Sequence, residues 1–570
     1  MKNLKFLFII YLILIHFLGC KNLENEPIAA VVSARKEASD IGVEIMKKGG
    51  NAFDAMVAVH LALAVTYPIA GNIGGGGFVV YHTSEGESGS LDFREKGPAK
   101  AFKDMYLDEN GDVIENMSTL GGAAVGVPGS ISGIFEIHSK FGSLPIKDLF
   151  QPSIDLAKNG FIVTKKQEEA LKDKLQDFIN VNGNESLFSQ NYKQGDTLKN
   201  LNLSITLDKI SKKGPKAFYE GEIAEMIVEE IQQSGGIMTV EDLKNYNSVW
   251  RDPIKFKYKD LDIISMPLPS SGGILLGQLL KAIEGYNIGQ FGHNSVESIQ
   301  LMVEAERRAY ADRSFYMGDP DFSKLPVYEL MDDEYVNNRM KSFSWDKATL
   351  SSDVSHGEIK TIEESDQTTH YSIIDASGNS VSVTTTLNTN YGSKVFVEEG
   401  GFFLNNEMDD FSSKPGHPNS FGLIGSEANS IEANKRMLSS MTPTIVLKDK
   451  KPSLIVGTPG GSTIITSVFQ TILNVYEYDM SMQEAVNAPR VHHQWVPDVV
   501  IIEEGGIDSV KDSILKSKNY FVISLPIKSD TPGMSARSSI GKVDAIFIDE
   551  NGEVSTGADP RGDDHASILK

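Results

Sequence analysis

Apolar positions recur at helical spacing near the start of the chain. Ala38, Ile41, Ile45 and Met46 share one face, Gly49-Gly50 interrupts it, and Asn51 stands as a cap before a second run to Val65 that is apolar on nearly every side. The pattern predicts two helices, the second one buried. Phe78 to Tyr81 then reads as a strand, entered through Gly74 to Gly77. Those glycines match neither the Gly-x-Gly-x-x-Gly fingerprint nor the P-loop lysine pattern, so they predict a close-packed turn rather than a phosphate cradle. From Leu144 to Lys259 the pattern is mostly amphipathic helix, with Ile223, Met226, Ile227 and Ile231 as one such face, and it carries no candidate chemistry. Ser295 to Ala311 predicts a further helix.

The sharpest change of pattern lies between Phe343 and Thr386. Residues 343–366 are polar, acidic and serine-bearing, with no apolar period, and predict an exposed connector. Two β-rich runs follow, His370 to Ile374 and Ser380 to Thr386. Between them Asp375-Ala376-Ser377-Gly378-Asn379 has the length and residue types of a hairpin loop. A loop symmetric about Ser377 sets Thr368 opposite Thr386. Taken alone this is an ordinary threonine-rich edge hairpin. A threonine at the start of a strand, behind an exposed connector, is also placed to become a nucleophile. A free amino terminus on the same residue can serve as its general base, and that chemistry requires a cut between Gln367 and Thr368.

Composition narrows the classes. With 54 basic against 77 acidic residues the formal charge is −23, which argues against a nucleic-acid surface. No histidine pair has metalloprotease spacing, no Walker loop is present, and His492-His493 on a strand point to opposite faces, so no metal or cofactor is expected. Pro269-Ser270-Ser271-Gly272-Gly273 is not a Gly-x-Ser-x-Gly elbow. Residues 1–19 read as a leader: Lys2 and Lys5, then a mostly apolar run Phe6 to Leu18 too short to span a bilayer comfortably, closed by Gly19-Cys20. Cys20, the only cysteine, stands where bacterial lipoprotein leaders are cut and lipidated. The alternative is a plain secretory leader with an incidental cysteine. Either excludes disulfides, and lipidation at Cys20 would place the mature chain at the cell envelope or periplasm, anchored to a membrane rather than spanning it.

The strings QTTHYSIID, TTTLNT, FLNNEMDDFSSKPG, LSSMTPT, GTPGGS and NAPRVHHQW occur in this order. Ahead of them stand NAFDAMVAVHLALAVTYPIAGNIGGGGF, DFREKGPAKA, PLPSSGGI and EAERRAYADRSFYMGDPDF. In this ordered set the chain resembles the γ-glutamyltransferases, the glutathione hydrolase proenzymes of the N-terminal-nucleophile hydrolase superfamily. The resemblance implies an α+β fold, the four-layer αββα sandwich, and self-cleavage at Gln367-Thr368 into a large chain, 20–367, and a small chain, 368–570, that stay associated as a heterodimer. It implies Thr368 as nucleophile with Thr386 bonded to it, and Gly460 and Gly461 as oxyanion donors. Arg94, Ser439 and Ser440 match residues that hold a substrate α-carboxylate, and Asn388, Glu407 and Asp410 match those that hold the α-ammonium. Substrates would be glutathione and other γ-glutamyl compounds, with water, amino acids or dipeptides as acceptors. Phe421, in a segment like the family's lid, replaces a tyrosine of many bacterial members and so lacks its hydroxyl. Glu407 replaces a glutamine of some.

Two other functions fit the residues less closely. A related acylase for glutaryl-type amides would not need Asn388, Glu407 and Asp410 together. An unprocessed, envelope-anchored binding protein for γ-glutamyl peptides would not need every catalytic position filled.

Overall fold

Helix α1 (Lys36–Lys47) buries Ala38, Ser39, Gly42, Ile45 and Met46, the face its spacing predicts. Helix α2 (Ala52–Thr66) is buried along its whole length, and its start is fixed by a capping box. The Asn51 side-chain oxygen accepts the Phe53 and Asp54 amides at 2.9 Å, and the Asp54 carboxylate accepts the Asn51 amide at 3.0 Å. A Cβ on Gly42 would lie 2.7 Å from Val59, so the two helices touch where only glycine fits. The computed structural model describes residues 28–357, 369–414, 419, 427–526 and 538–569.

Thirteen strands build two antiparallel sheets, numbered here in chain order. They are β1 (Ala29–Ser33), β2 (Gly76–His82), β3 (Ser88–Asp92), β4 (Val249–Arg251), β5 (Ile254–Tyr258), β6 (Leu261–Ser265) and β7 (Thr369–Ile374), then β8 (Ser380–Thr386), β9 (Thr444–Lys448), β10 (Lys451–Gly457), β11 (Asp544–Ile548), β12 (Val554–Gly557) and β13 (His565–Leu569). The seven-stranded sheet has the order β13-β1-β7-β8-β2-β3-β4 and the six-stranded sheet β12-β11-β10-β9-β6-β5. Tyr371, Ile373, Val381 and Val383 of the central hairpin pack against α1, α2 and helix α3 (Ser130–Phe141). Ala30, Val32, Phe78 and Val80 meet Ile264, Ile445, Ile455 and Ile546 between the sheets. The second sheet is covered by helices α4 (Gly272–Glu284), α5 (Val296–Tyr316) and α6 (Thr463–Tyr476), through Leu276, Ile299, Ile465, Val446 and Leu454. Helix, sheet, sheet, helix is the expected four-layer α+β sandwich.

The hairpin pairs in the predicted register, from Ile374 with Ser380 to Thr369 with Thr385. The glycine run packs closely, as expected. A Cβ on Gly75 would lie 2.0 Å from the Thr386 carbonyl, and one on Gly77 2.4 Å from that of Thr384, so glycine lets β2 lie against β8.

Two expectations change. The end of the stretch read as helical is β4 and β5, in which Ile254, Phe256 and Tyr258 alternate with exposed Lys255 and Lys257, a strand period. The connector is not exposed throughout. In its described part Ala348, Ser351 and Val354 are buried, and their own backbone groups bond to Lys518, Asp498 and Trp495. Among the described residues no helix is long and apolar enough to cross a membrane. The leader and Cys20 lie outside them.

Candidate active site

Strand β3 runs into Arg94 and Glu95, both fully buried rather than forming the surface ion pair that an isolated Arg-Glu dipeptide suggests. The Asp92 carboxylate accepts the Arg94 amide at 2.9 Å, and Tyr246 donates to the Arg94 carbonyl at 2.7 Å, so the backbone is held before the side chain is considered. The guanidinium bonds to the Glu407 and Asp410 carboxylates and also donates to the carbonyls of Leu438 at 3.1 Å and Met437 at 3.3 Å. Two segments distant in sequence therefore converge on it: a short 3-10 turn, Glu407–Asp410, and the loop that carries Ser439 and Ser440.

Charge is concentrated here. Burial pushes the Glu95 carboxyl up to about 8, with Arg94 opposing the shift. Burial also raises Glu407 well above the carboxylate range, against the pull of Arg94 and with the push of Glu95 and Asp410. On Arg94 burial works against the charge, but Glu407, Asp410 and Glu95 outweigh it and hold it protonated. Among the described residues Glu407 Oε2 and Asn388 Oδ1 are buried without a hydrogen-bond partner. Both are acceptors that a bound cation would satisfy.

Asn388 follows β8 in the left-handed region (φ +70°), which asparagine tolerates. Its amide donates to Thr386 Oγ1 at 2.7 Å and its side-chain nitrogen to the Asn406 carbonyl at 2.9 Å. Gly76 pairs with Thr386, and a Cβ on Gly76 would lie 2.5 Å from Glu95 Oε2. The carboxyl cluster and the Thr386 end of the hairpin are thus neighbours.

Ser439 and Ser440 are steadied from behind. The Ser439 carbonyl accepts from the Ser271 amide at 2.7 Å and its hydroxyl at 2.8 Å, and Ser440 Oγ accepts from Arg313 of α5. Arg313 also donates to Ser271 Oγ at 2.9 Å. The sequence predicts a helix over Ser295 to Ala311 and no serine elbow at Ser270-Ser271, and it assigns Arg313 no role. A fully buried arginine on a helix was the signal, and burial is not visible in the sequence.

Gly460 and Gly461 bridge β10 and α6 with φ of +138° and +67°. A Cβ on Gly460 would lie 2.5 Å from Thr463 Oγ1 and 2.9 Å from Gly541 Cα, so the position needs glycine for space as well as for dihedral. Their carbonyls accept from the Thr463 and Ile464 amides at 3.2 and 3.0 Å. Their own N–H groups have no acceptor among the described residues and sit at a helix start, where donors collect. A Cβ on Gly457, just ahead, would lie 2.4 Å from the His370 ring. His370 bonds Thr384 Oγ1 and Ser372 Oγ at 3.0 Å, and burial pushes its pKa down to about 3. This neutral histidine ties β7 to β8 beneath the glycine loop. Gln367, Thr368 and Phe421 lie outside the described residues.

His492 and His493 take separate partners. His492 bonds Thr466 Oγ1 at 2.9 Å and His493 bonds Asp498 at 3.2 Å. Asp559 joins Arg490 and the Val543 amide, each at 2.7 Å, which is a structural role. Among the described residues no cluster of His, Cys, Asp and Glu could hold a metal ion.

A desolvated arginine among carboxyl groups, hydroxyls, and a glycine loop at a helix start suits recognition of a zwitterion and stabilisation of an oxyanion. Set at one edge of an αββα sandwich, this arrangement belongs to the N-terminal-nucleophile hydrolase class. A solved cephalosporin acylase from Bacillus halodurans superposes with a TM-score of 0.81 over 95% of this chain and 96% of its own, and at 23% identity it shows the fold alone. The profile of the Gamma-glutamyltranspeptidase family matches residues 38–569, and the chain belongs to that family. It is 43% identical to the glutathione hydrolase proenzyme of Escherichia coli K12, over 94% of this chain and 90% of that one. It is 41% identical to the crystal structure of Helicobacter pylori gamma-glutamyltranspeptidase, which covers 57% of this chain and 94% of its own, with a TM-score of 0.56.

Proposed function

We propose that the chain is a self-cleaving γ-glutamyltransferase and glutathione hydrolase whose nucleophile is Thr368. The observation that carries the reading is the meeting of Arg94, Glu95, Glu407 and Asp410 at the Thr386 end of the hairpin. The paired register ends at Thr369 with Thr385, which supports the expectation from the sequence that Thr368 and Thr386 are partners.

In maturation, Thr368 Oγ attacks the Gln367 carbonyl, the Gln367-Thr368 amide bond breaks, and the resulting ester is hydrolysed by water. The products are a carboxylate on Gln367, ending a large chain 20–367, and a free amine on Thr368, beginning a small chain 368–570. In turnover that amine takes the proton of Thr368 Oγ as the oxygen attacks the γ-glutamyl amide. The amides of Gly460 and Gly461 receive the oxyanion, and the proton passes to the departing amine. Water or an amino acid or dipeptide then takes the γ-glutamyl group from the acyl-enzyme. Arg94, Ser439 and Ser440 hold the substrate α-carboxylate. Asn388, Glu407 and Asp410 hold its α-ammonium, which would satisfy Asn388 Oδ1 and Glu407 Oε2. An acyl group without an ammonium, such as glutaryl, leaves those acceptors unfilled, so it should be the poorer substrate. Lipidation of Cys20 at a bacterial envelope completes the reading and rests on the leader's sequence alone.

Denaturing mass analysis of the purified protein beside Thr368→Ala is the test. The expected result is two chains in the wild type, the smaller beginning at Thr368, one chain in the variant, and γ-glutamyl anilide hydrolysis only in the former. An uncut wild-type chain that binds glutathione without turnover overturns the mechanism in favour of a binding protein. Equal turnover of glutaryl and γ-glutamyl anilides would favour the acylase.

A further inference from the structure

Helix α5 serves two masters. Arg313 steadies Ser440 and Ser271 at the candidate site, while the residues on either side of it grip the described part of the connector, 345–357. Asp312 Oδ1 accepts the Gly357 amide at 3.0 Å, and the Tyr316 hydroxyl donates to the Gly357 carbonyl. Phe315 stacks on His356 with ring centroids 3.4 Å apart. One turn and more before them, Arg307 reaches both Ser351 Oγ and Asp498.

The other half of the grip comes from the far side of position 368. Trp495 Nε1 lies 3.0 Å from the Ser351 carbonyl and 2.8 Å from that of Val354, donating to both. Asp498 Oδ2 accepts the Ser351 amide at 2.7 Å. Lys518 accepts the Ala348 amide on its carbonyl at 2.7 Å and bonds the Trp345 carbonyl through its side chain. Most of these bonds end on connector backbone, so they fix the path of the chain rather than read its side chains. Trp495, in the segment that carries His492 and His493, supplies the central donor.

From this arrangement we infer that Trp495 and Tyr316 are positioning residues for self-cleavage: they pin the connector at Ser351 to Gly357, which sets the approach of the chain to the Gln367-Thr368 bond. The inference rests on the self-cleavage reading above and deepens it. Thr369 is about a dozen residues from Gly357 in sequence and almost thirty from Met340, the end of the last helix before the connector. A chain anchored at Met340 instead of Gly357 would be more than twice as long up to Thr369, and by loop-closure entropy alone the cleavage-ready geometry would be about fourfold rarer if every anchor on 345–357 were lost. Among the described residues the Trp495 and Tyr316 side chains bond the connector, at Ser351, Val354, His356 and Gly357. The mature enzyme, already cut, no longer depends on the geometry of that bond.

The test uses the full chain with Trp495→Phe, Tyr316→Phe and both together, since phenylalanine keeps the ring and removes only the donor. Pulse-labelled protein is followed by denaturing electrophoresis for the appearance of the small chain. Each variant is also placed in the Thr368→Ala chain to measure its melting temperature, and fully matured protein is assayed for kcat and KM on a γ-glutamyl anilide. Asp312, Arg307, Asp498 and Lys518 still hold the segment in these variants, so the expected result is a maturation half-time lengthened by up to about fourfold in the double variant, with kcat and KM of the matured protein and the melting temperature of the uncut chain unchanged. Equal half-times overturn the inference. So does slower maturation accompanied by a parallel fall in kcat and melting temperature, which marks these residues as scaffold. A wild-type chain that never cuts removes the self-cleavage reading itself, a result distinguishable from wild type and variants cutting at one rate.

Discussion

Arg94 is one positive charge set among three buried carboxyl groups, and that imbalance is the chemical character of the site. The motif around Arg94 marked it as a binder, but its neighbours Glu407 and Asp410 are more than three hundred residues away, and only the fold shows that they bond it directly. Nothing in the sequence distinguishes Glu95, because a carboxylate beside an arginine is usually a solvated partner. Burial gives it a testable signature. Its folded pKa of about 8 lies above its ordinary value of 4.5, so between those values the folded chain holds a proton that the unfolded chain has released. Stability contributed by that proton is present at low pH and is lost as pH rises through the window. Glu95→Gln abolishes the titration. Melting temperatures of wild type and variant, measured from pH 5 to pH 9, should therefore converge or cross in the variant's favour as pH rises. A pH-independent difference would show that Glu95 does not titrate there.

At the scale of elements, local patterns were legible wherever they carried their own punctuation. Asn51 and Asp54 announce α2, and the loop centred on Ser377 fixes the hairpin register, because caps and tight turns are decided by a few adjacent residues. The docked connector and the role of α5 were not legible. Their contacts run from Trp495 and Asp498 to backbone atoms of residues 345–357 and from Arg307 to the Ser351 hydroxyl, and a polar segment held largely by its backbone has the same composition as one left in water. The α2 cap offers a direct measure of how much one such signal matters. Asn51 also donates to the Phe141 carbonyl at 2.7 Å, tying the start of α2 to the end of α3. Asn51→Ala should lower stability by about 1–2 kcal/mol, the upper part of the range for a lost cap. Denaturant unfolding at unchanged slope would read this as a shift in midpoint, and a shift below a few tenths of a kcal/mol would mean that the buried helix holds its own end.

For the whole molecule, the consequence of a cut before Thr368 follows from the order of strands. In the seven-stranded sheet β1 lies between β13 and β7, and β8 lies between β7 and β2, so segments from before and after position 368 alternate. In the six-stranded sheet the two parts meet at one seam, where β6 from the first part pairs with β9 from the second. The apolar layer between the sheets and the layer under α4, α5 and α6 also draw on both parts. Separating the two chains would open every one of these surfaces at once, which is closer to unfolding than to dissociation. The interface so defined is strand pairing and buried hydrocarbon rather than surface charge, and salt screens only the latter. Matured protein should therefore elute from a sizing column as a single species of the uncut mass at nanomolar concentration and in 1 M salt, and release the two chains only in denaturant. Separation by dilution or by salt alone would mean that the two parts fold as independent units, contrary to the interleaved sheets.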